Sequence, residues 1–593
     1  MALITLGINA AFHDSAAALV VDGVTVAAAE EERFTRIKHG KRPVPFSAWE
    51  LPFHAIDYCL AEAGITLADL DHVGYSFDPR AFFGNRIDST EATIELPLEP
   101  SAHRSCEWEN PWDPLFAAYI VNAPRQLLDG APHHLRKRLS AAKKDARYRW
   151  HYVNHHTCHQ ASAFLAAPFS RCAVMTLDGR GEQATTTYGV YRDDRYRPLG
   201  EVTMPNSLGM LYERITGHLG FLHSSDEYKV MALAALGTPT YRDALAAHVR
   251  VGRDGQYVVD EIDLAGLAGP PRVPGTPMEQ HHLDLAASLQ DVLEATVLRL
   301  AAWLREASGE RHLAMAGGVA LNCVMNARLR DNRMFDQVWV QPAAGDAGTA
   351  LGAALWVDAR ERRAPGSDDD GAAGTALGPR RWVMEHAYLG PGYDDGQIEQ
   401  LLRWAKLPYR RAGDLAEETA TLLAANKIIG WYQGRMEFGP RALGARSILA
   451  SPIDPAMQSR LNELKDREDF RPVAPAVLEE ELDRWFSPAD ANGGKSPFML
   501  FIYDVQRGQG AKIPSACHTD RTARVQTVSA ATNPRFHALL QAFGRRTGVP
   551  VLVNTSFNVR GEPIVCTPRA AIEAFYSTPL DALVIGSFIV EKG

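Results

Sequence analysis

The feature that most constrains how this chain folds is one segment, RERRAPGSDDDGAAGTALGPRR, from Arg360 to Arg381. It is rich in Gly, Pro, Ala and Asp, and so carries too little apolar side chain to build a core and behaves as a linker. A boundary there divides the 593 residues into two domains, 1–362 and 382–593, each long enough to bury its own core.

Both domains mix strand and helix signals, which makes the chain α/β. In the first, LITLGIN is an apolar strand, and SAAALVV and VTVAAAEE flank Asp22-Gly23, a two-residue hairpin signal. Later, AVMTLDGRGE runs from a buried strand into a glycine turn and TTTYGVY returns. Two strand–turn–strand units with small residues at the turn suggest an actin-like ATPase fold, whose phosphate-binding loops are hairpins of this kind. Any α/β protein with two hairpins gives the same pattern. A helix is predicted over 283–307, ending at Gly309; Asp284, Gln290, Asp291, Glu294 and Arg299 make it amphipathic rather than membrane-spanning. HLAMAGGVALN reads as a strand, a Gly317-Gly318 turn and a helix start. PAAGDAGTALGAALW places Asp346 in a loop ahead of a small-residue helix. Such glycines admit close approach of either a nucleotide or a neighbouring helix. The second domain has strand signals at KIIGWYQ, FMLFIYDV, VPVLVNTSF and ALVIGSFIV.

Lys and Arg total 62 against 71 Asp and Glu, a net charge of -9, which argues against nucleic acid or an anionic membrane as partner. The seven cysteines (59, 106, 158, 172, 323, 517, 566) form no Cys-x-x-Cys pair. That is no disulfide framework, and MALITLGINA lacks the basic start of a signal peptide, so a reducing cytoplasm is expected.

Two groups of residues carry chemistry. In NHHTCHQASAF, His155 and His159 are four apart; on a helix they share a face and can grip one metal ion, or they are a capping or surface pair. Asp178 in LDGRGE and Asp346 in AGDAGT sit in glycine-rich loops, where Asp is otherwise a turn former. Two imidazoles with two carboxylates suit Fe(II), Mn(II) or Zn(II). In the second domain, Arg435, Arg441 and Arg446 lie in GRMEFGPRALGARS, Lys465, Arg467 and Arg471 in LKDREDFRP, and Arg521 and Arg524 in DRTARVQ. Guanidinium forks interleaved with Gly and Pro suit phosphate anions such as ATP. The alternative is a solvated surface neutralised by Glu437, Glu463 and Asp466. Asn554-Thr555-Ser556 ends an apolar strand, as phosphate partners or turn residues.

Taken in order, FHDSAAALVVDG, EEERFTRIKHG, HHTCHQASAF, DGRGE, EYKVMALAALG, AGGVALN, GDAGTALGAA, GRMEFGPRALGARS, DREDFRPVAPAV, ARVQTV and NTSFNVRGEPIV span nearly the whole chain. They resemble the carbamoyltransferases of the NodU/CmcH type, including the cephem and tobramycin O-carbamoyltransferases. The resemblance implies an N-terminal domain of the actin-like (ASKHA) superfamily, similar to tRNA threonylcarbamoyl transferases, and a YrdC-like C-terminal domain. It implies that carbamoyl phosphate and ATP (with Mg) give carbamoyladenylate and pyrophosphate in the second domain. The carbamoyl group then passes to a hydroxyl of a small acceptor in the first. Matched by motif, His155, His159, Asp178 and Asp346 hold Fe(II) or a similar ion, with His13 and Lys38 beside the transfer centre and His13 as general base. Arg441, Arg446, Lys465, Arg471, Arg524 and Ser556 match positions that hold phosphates. Gly317, Gly318 and Asn322 fall where the transfer domain meets nucleotide.

Cys158 and Ala232 depart from the family pattern at positions away from the expected ligands. The stretch from Tyr75 to Arg149 is long for the family and holds Phe82, Phe83, Trp108, Pro111 and Trp112. It is expected either to shape an acceptor pocket, as for a glycosylated macrolide or polyketide antibiotic, or to be a packing insertion. The rival functions are a tRNA threonylcarbamoyl-type transferase and a non-transferase actin-like ATPase.

Overall fold

The computed structural model describes residues 2–40, 51–83, 113–130, 146–364, 374–487 and 495–592. Its first half is built on one strand pattern used twice. Strands β1 (Ile4–Asn9), β2 (Ala16–Val21), β3 (Val24–Glu30), β4 (His72–Tyr75) and β5 (Arg149–Tyr152) form a sheet in the order β3-β2-β1-β4-β5. The three N-terminal strands are antiparallel, and β4 and β5 run parallel to β1. The second sheet repeats this with β6 (Cys172–Leu177), β7 (Ala184–Arg192), β8 (Arg195–Thr203), β9 (His312–Ala316) and β10 (Gln337–Val340). Its order is β8-β7-β6-β9-β10 with the same strand directions, and β11 (Thr375–Ala376) extends its β8 edge. The Asp22-Gly23 turn has φ 48° and 83°, the left-handed pair that a two-residue hairpin requires.

Helices α1 (His155–Phe164), after β5, and α5 (Ala347–Glu361), after β10, occupy equivalent places and pack together between the sheets. Their closeness depends on glycine. A methyl at Gly352 of α5 would lie 1.8 Å from the Cys158 carbonyl oxygen of α1, and one at Gly7 of β1 would lie 1.9 Å from the Ala350 carbonyl oxygen. The small residues of the helix after Asp346 therefore serve close packing against a helix and a sheet. Also in the first half are α2 (Glu227–Ala234), α3 (Gln280–Ser308), ended by Gly309 at φ 68°, and α4 (Cys323–Asp331).

The second half is a mixed eight-stranded sheet. Its strands are β12 (Arg410–Arg411), β13 (Ile429–Tyr432), β14 (Arg446–Ala450), β15 (Ala474–Leu478), β16 (Gln526–Val528), β17 (Val551–Ser556), β18 (Ala582–Ile585) and β19 (Phe588–Glu591). They run in the order β12-β19-β18-β13-β14-β17-β15-β16. ALVIGSFIV folds as the β18–β19 hairpin about Gly586 rather than as one strand, and FMLFIYDV contributes only Ile502–Asp504.

Residues 365–373 of the linker lie outside the described residues. Beyond β11 the chain stays against the first half: Met384 N–H donates to the Ala166 carbonyl (2.9 Å) and the Leu389 carbonyl accepts from Ala28 N–H (3.1 Å). Trp108, Pro111, Trp112 and the Phe83 side chain lie outside the described residues. Among the described residues the six cysteines are free, and no helix is long and apolar enough to cross a membrane.

Candidate metal centre and cationic pocket

The duplicated topology brings four chain segments to one point. The first turns of α1 and α5 meet between the sheets, and the loops after β1 and β6 face them. Asn154 caps α1, its side chain accepting from Thr157 N–H at 3.2 Å. One turn of that helix then places His155 and His159 on one face, both 0 % exposed. Asp178 follows β6 and Asp346 precedes α5, at 7 % and 3 % exposure.

The Asp178 Oδ2 lies 3.5 Å from His155 Nε2 and 3.7 Å from His159 Nε2. The Asp346 Oδ1 lies 3.6 and 3.8 Å from the same two nitrogens. These gaps exceed hydrogen-bond length, and neither Nε2 has a hydrogen-bond partner. Two ligands each ~2.1 Å from a shared ion are about 3–3.4 Å apart, so slight contraction would close the set around one divalent cation. The surroundings aim these groups. His155 Nδ1 faces the Ser76 carbonyl (3.3 Å), which directs Nε2 inward, and Gly318 N–H donates to Asp178 Oδ1 (2.7 Å), which leaves Oδ2 for the imidazoles. Burial alone would disfavour charge here. Instead the facing carboxylates raise His155 and His159 above the usual histidine value, and the imidazoles hold Asp178 well below the carboxylate range.

Gly317 sits at φ 93°, where a methyl would lie 2.2 Å from the Leu177 carbonyl oxygen, so Gly is required to bring Gly318 to Asp178. Asn322 is tied into the fold: it caps α4 by accepting from Met325 N–H (3.0 Å) and exchanges two amide hydrogen bonds with Gln290. Glu182, unmarked in the sequence reading beyond its DGRGE motif, is a buried support. Its carboxylate accepts from His155 N–H (2.9 Å), Asp78 N–H (2.8 Å) and the Asn154 amide (2.9 Å).

His13 stands at the edge of this centre, its Nδ1 2.9 Å from Asp14 and 3.8 Å from Asp346. Asp14 also accepts from His39 (2.8 Å), and Phe12 and Asp14 both have positive φ. Lys38, next in sequence to His39, stands elsewhere. Its ammonium is 6.0 Å from the Tyr228 ring centroid, facing a cluster of cations from the second half.

That cluster gathers Arg441, Lys465, Arg467, Arg471 and Arg524. Arg441 Nε, Arg467 Nη2 and Arg524 Nε are buried without hydrogen-bond partners. Burial and then the neighbouring cations push the pKa of Arg441, Lys465 and Arg467 down, a sign of positive charge in excess. An anion is the missing partner such a pocket calls for. The neutralised-surface alternative fails at Glu437, whose carboxylate accepts the N–H groups of Leu443, Ala445 and Arg446, and at Asp466, which pairs with Arg560.

Two arginine-motif residues, Arg446 and Arg435, sit differently from the pocket expectation. Arg446 is wholly buried, donates to the carbonyls of Gln433, Gly434, Ala445 and Pro391, and lies 3.7 Å over the Tyr432 ring. Its two terminal nitrogens are spent on backbone, so it organises the loop, while its Nε, like that of Arg441, has no hydrogen-bond partner. Arg435 reaches the carbonyls of Val26 and Leu389 on the side of the first half. Lys465 donates to the Ser556 carbonyl (2.6 Å), the Ser556 hydroxyl (2.8 Å) and Asn558 (2.8 Å), so Lys465 and Ser556 form one unit at the pocket wall.

Comparison with known proteins agrees with this two-part layout. Residues 4–355 match the family model described as Carbamoyltransferase N-terminus, and residues 420–592 the one described as Carbamoyltransferase C-terminus. An uncharacterized protein of Synechocystis sp. is 38% identical over 99% of this chain and 96% of its own length. Nodulation protein NolNO of Sinorhizobium fredii is 37% identical over 98% of this chain and 80% of its own length. Nodulation protein NolO of Bradyrhizobium diazoefficiens is 40% identical over 74% of this chain and 79% of its own length.

Proposed function

Because the chain belongs to the carbamoyltransferase family, we propose that it is an ATP-dependent O-carbamoyltransferase that runs one half-reaction in each half. In the second half, water hydrolyses carbamoyl phosphate, breaking the bond that joins the carbamoyl group to phosphate, inorganic phosphate leaves, and the resulting carbamate oxygen attacks the α-phosphorus of Mg-bound ATP. The bond to the β-phosphate breaks, pyrophosphate leaves, and carbamoyladenylate remains. In the first half, an acceptor hydroxyl attacks the carbamoyl carbon and AMP departs. Carbamate is a resonance-stabilised, poor electrophile, and adenylation supplies its leaving group.

One observation carries this reading. The chain carries both four buried ligand groups with partnerless imidazole nitrogens and a set of buried cations with partnerless donors, and the run His13–Asp14–His39–Lys38 leads from Asp346 toward the cations. Arg441, Arg467 and Arg524 direct donors at the phosphates of the adenylating step. A divalent ion such as Fe(II), held by His155, His159, Asp178 and Asp346, supplies Lewis-acid polarisation of the carbamoyl carbonyl. His13 accepts the hydroxyl proton; Asp14 and Asp346 on its Nδ1 side stabilise the imidazolium that forms.

The duplicated sheet of the first half supports an actin-like (ASKHA) fold, and the second half is assigned a YrdC-like role. The acceptor is a small hydroxylated natural product of antibiotic type, such as a glycosylated macrolide or polyketide. Phe82 and Phe116 from the 76–150 region pack with Phe77 around Phe12, whose ring is 5.8 Å from that of His155; Phe77 and Phe116 are buried in the core, so these aromatics act there as packing and the acceptor class rests on the family resemblance. The deciding experiment is mass spectrometry of products from ATP, carbamoyl phosphate and a panel of hydroxylated antibiotics. One added carbamoyl group, with AMP and pyrophosphate released, is expected. ADP release without carbamoyl transfer would replace the reading with that of an actin-like ATPase.

A further inference from the structure

Helix α2 belongs to the first half, yet its first turn meets the second half's cationic loop. The Tyr228 ring centroid lies 4.7 Å from the Arg471 guanidinium and 6.0 Å from the Lys38 ammonium. The next residue, Lys229, places its ammonium 3.0 Å from Glu468 and 3.2 Å from Asp226. Glu468 borders the anion pocket, its other oxygen 3.6 Å from Arg471.

These two contacts have one consequence for Arg471. Like charges in the pocket push it outward, and Glu468 would neutralise it within its own loop. The electron-rich face of Tyr228 draws the guanidinium inward, and Lys229 competes for the Glu468 carboxylate. We infer that Tyr228 and Lys229 are positioning residues, by which the first half keeps Arg471 inward and available to the phosphate anion bound in the second half. The inference rests on the anion-pocket reading of the proposed function and adds that the pocket is complete only with α2 in place. It accounts for why this helix, far in sequence from the arginine motifs, touches them.

The test uses the full chain and two readouts. The first is carbamoyl-phosphate-dependent release of pyrophosphate from ATP, with KM and kcat separated. The second is calorimetric binding of pyrophosphate alone. For Tyr228→Leu, KM for carbamoyl phosphate and Kd for pyrophosphate are expected to rise roughly 2- to 30-fold, the range of one cation–π contact, with kcat little changed. Tyr228→Phe keeps the ring face and restores both. Lys229→Met weakens the same constants, and adding Glu468→Gln restores them by removing the competing charge. A Tyr228→Phe variant as weak as Tyr228→Leu, or a Lys229→Met defect that Glu468→Gln does not relieve, overturns the inference. If wild type releases no pyrophosphate from ATP, the functional reading fails, and the pyrophosphate Kd series still tests the positioning role.

Discussion

If the distance between α1 and α5 sets the metal centre, one methyl group should dismantle it. Gly352→Ala places that methyl 1.8 Å from the Cys158 carbonyl oxygen, where an ordinary carbon–oxygen contact is about 3.3 Å. The helices must therefore part by about 1.5 Å. His159 follows Cys158 on α1, and Asp346 opens α5, so the 3.6 and 3.8 Å separations from Asp346 Oδ1 would widen toward about 5 Å, too far for ligands that share one ion. Overpacking costs about 1–3 kcal/mol, and replacing a helical Gly by Ala returns about 1 kcal/mol. The net loss of stability is thus modest, about 0–2 kcal/mol, while metal affinity should fall at least 10- to 100-fold, the size of effect seen when ligand support is disturbed. The assay pairs thermal unfolding with metal content and metal titration of the purified variant. Gly217→Ala is the control: it lies in the helix Leu208–His218 with nothing near its added methyl, and should gain about 1 kcal/mol without touching the metal. A Gly352→Ala protein that stays folded with unchanged metal content and affinity would show that helix spacing does not govern the centre.

His155→Ala should abolish carbamoyl transfer while pyrophosphate release continues, and Arg441→Ala should do the reverse; assaying the half-reactions separately decides, and loss of both in each variant would contradict separate sites. Arg446→Ala should act on stability, because four carbonyls lose their donor together; a loss of about 3 kcal/mol or more in denaturant unfolding is expected, and a fully stable variant with only a raised KM would return Arg446 to the pocket. Pyrophosphate binding should weaken as pH rises through the depressed pKa of Lys465, below the ordinary lysine value. Burial and the neighbouring cations hold Lys465 well below the ordinary lysine value, and its anion-attracting charge is present below that depressed pKa and lost above it. Affinity flat up to the ordinary lysine value, followed by calorimetry across pH, would exclude Lys465 as the titrating group.

Much of this was legible in the sequence where chemistry depends on residue type and local spacing. His155 and His159 share a helical face because α1 forms, and Asp178 and Asp346 join them because glycine-rich turns end one strand and begin one helix. The hairpin at Asp22-Gly23 follows from two left-handed residues. What the sequence withheld are the long-range pairings. Nothing local predicts that Arg446 spends its terminal nitrogens on four carbonyls while Arg441, five residues before it, lies among the cations Arg524 and Arg471. Tyr228 and Lys229 stood inside a matched motif, but their partners lie more than two hundred residues on, and no periodicity reports such a contact. Glycine spacing pointed equally to a nucleotide and to a neighbouring helix; the Cys158 carbonyl against Gly352 settles that position for the helix.

The same duplication that gathers the four candidate metal ligands also shapes the end on which the second half docks. Equivalent strands end in the loops carrying His13 and Asp178, and equivalent helices begin at His155 and Asp346, so one end of the first half gathers all four. The GPRALGARS loop closes on that end. Gly439, at φ 121°, packs on the Pro342–Ala343 backbone just before Asp346; a methyl there would lie 2.9 Å from the Pro342 carbonyl oxygen. Its peptide is gripped by β3 and the turn after it: Glu30 accepts from Gly439 N–H (3.0 Å), and Arg33, paired with Glu30, donates to the Gly439 carbonyl (2.9 Å). Arg441, two residues on, is thereby fixed relative to Asp346 through backbone and a buried ion pair rather than through flexible side chains. A contact made of glycine against backbone leaves little freedom for the loop carrying Arg441 to drift relative to Asp346; under the proposed function, in which a water-labile carbamoyl anhydride passes between the halves, that rigidity is what the chemistry requires.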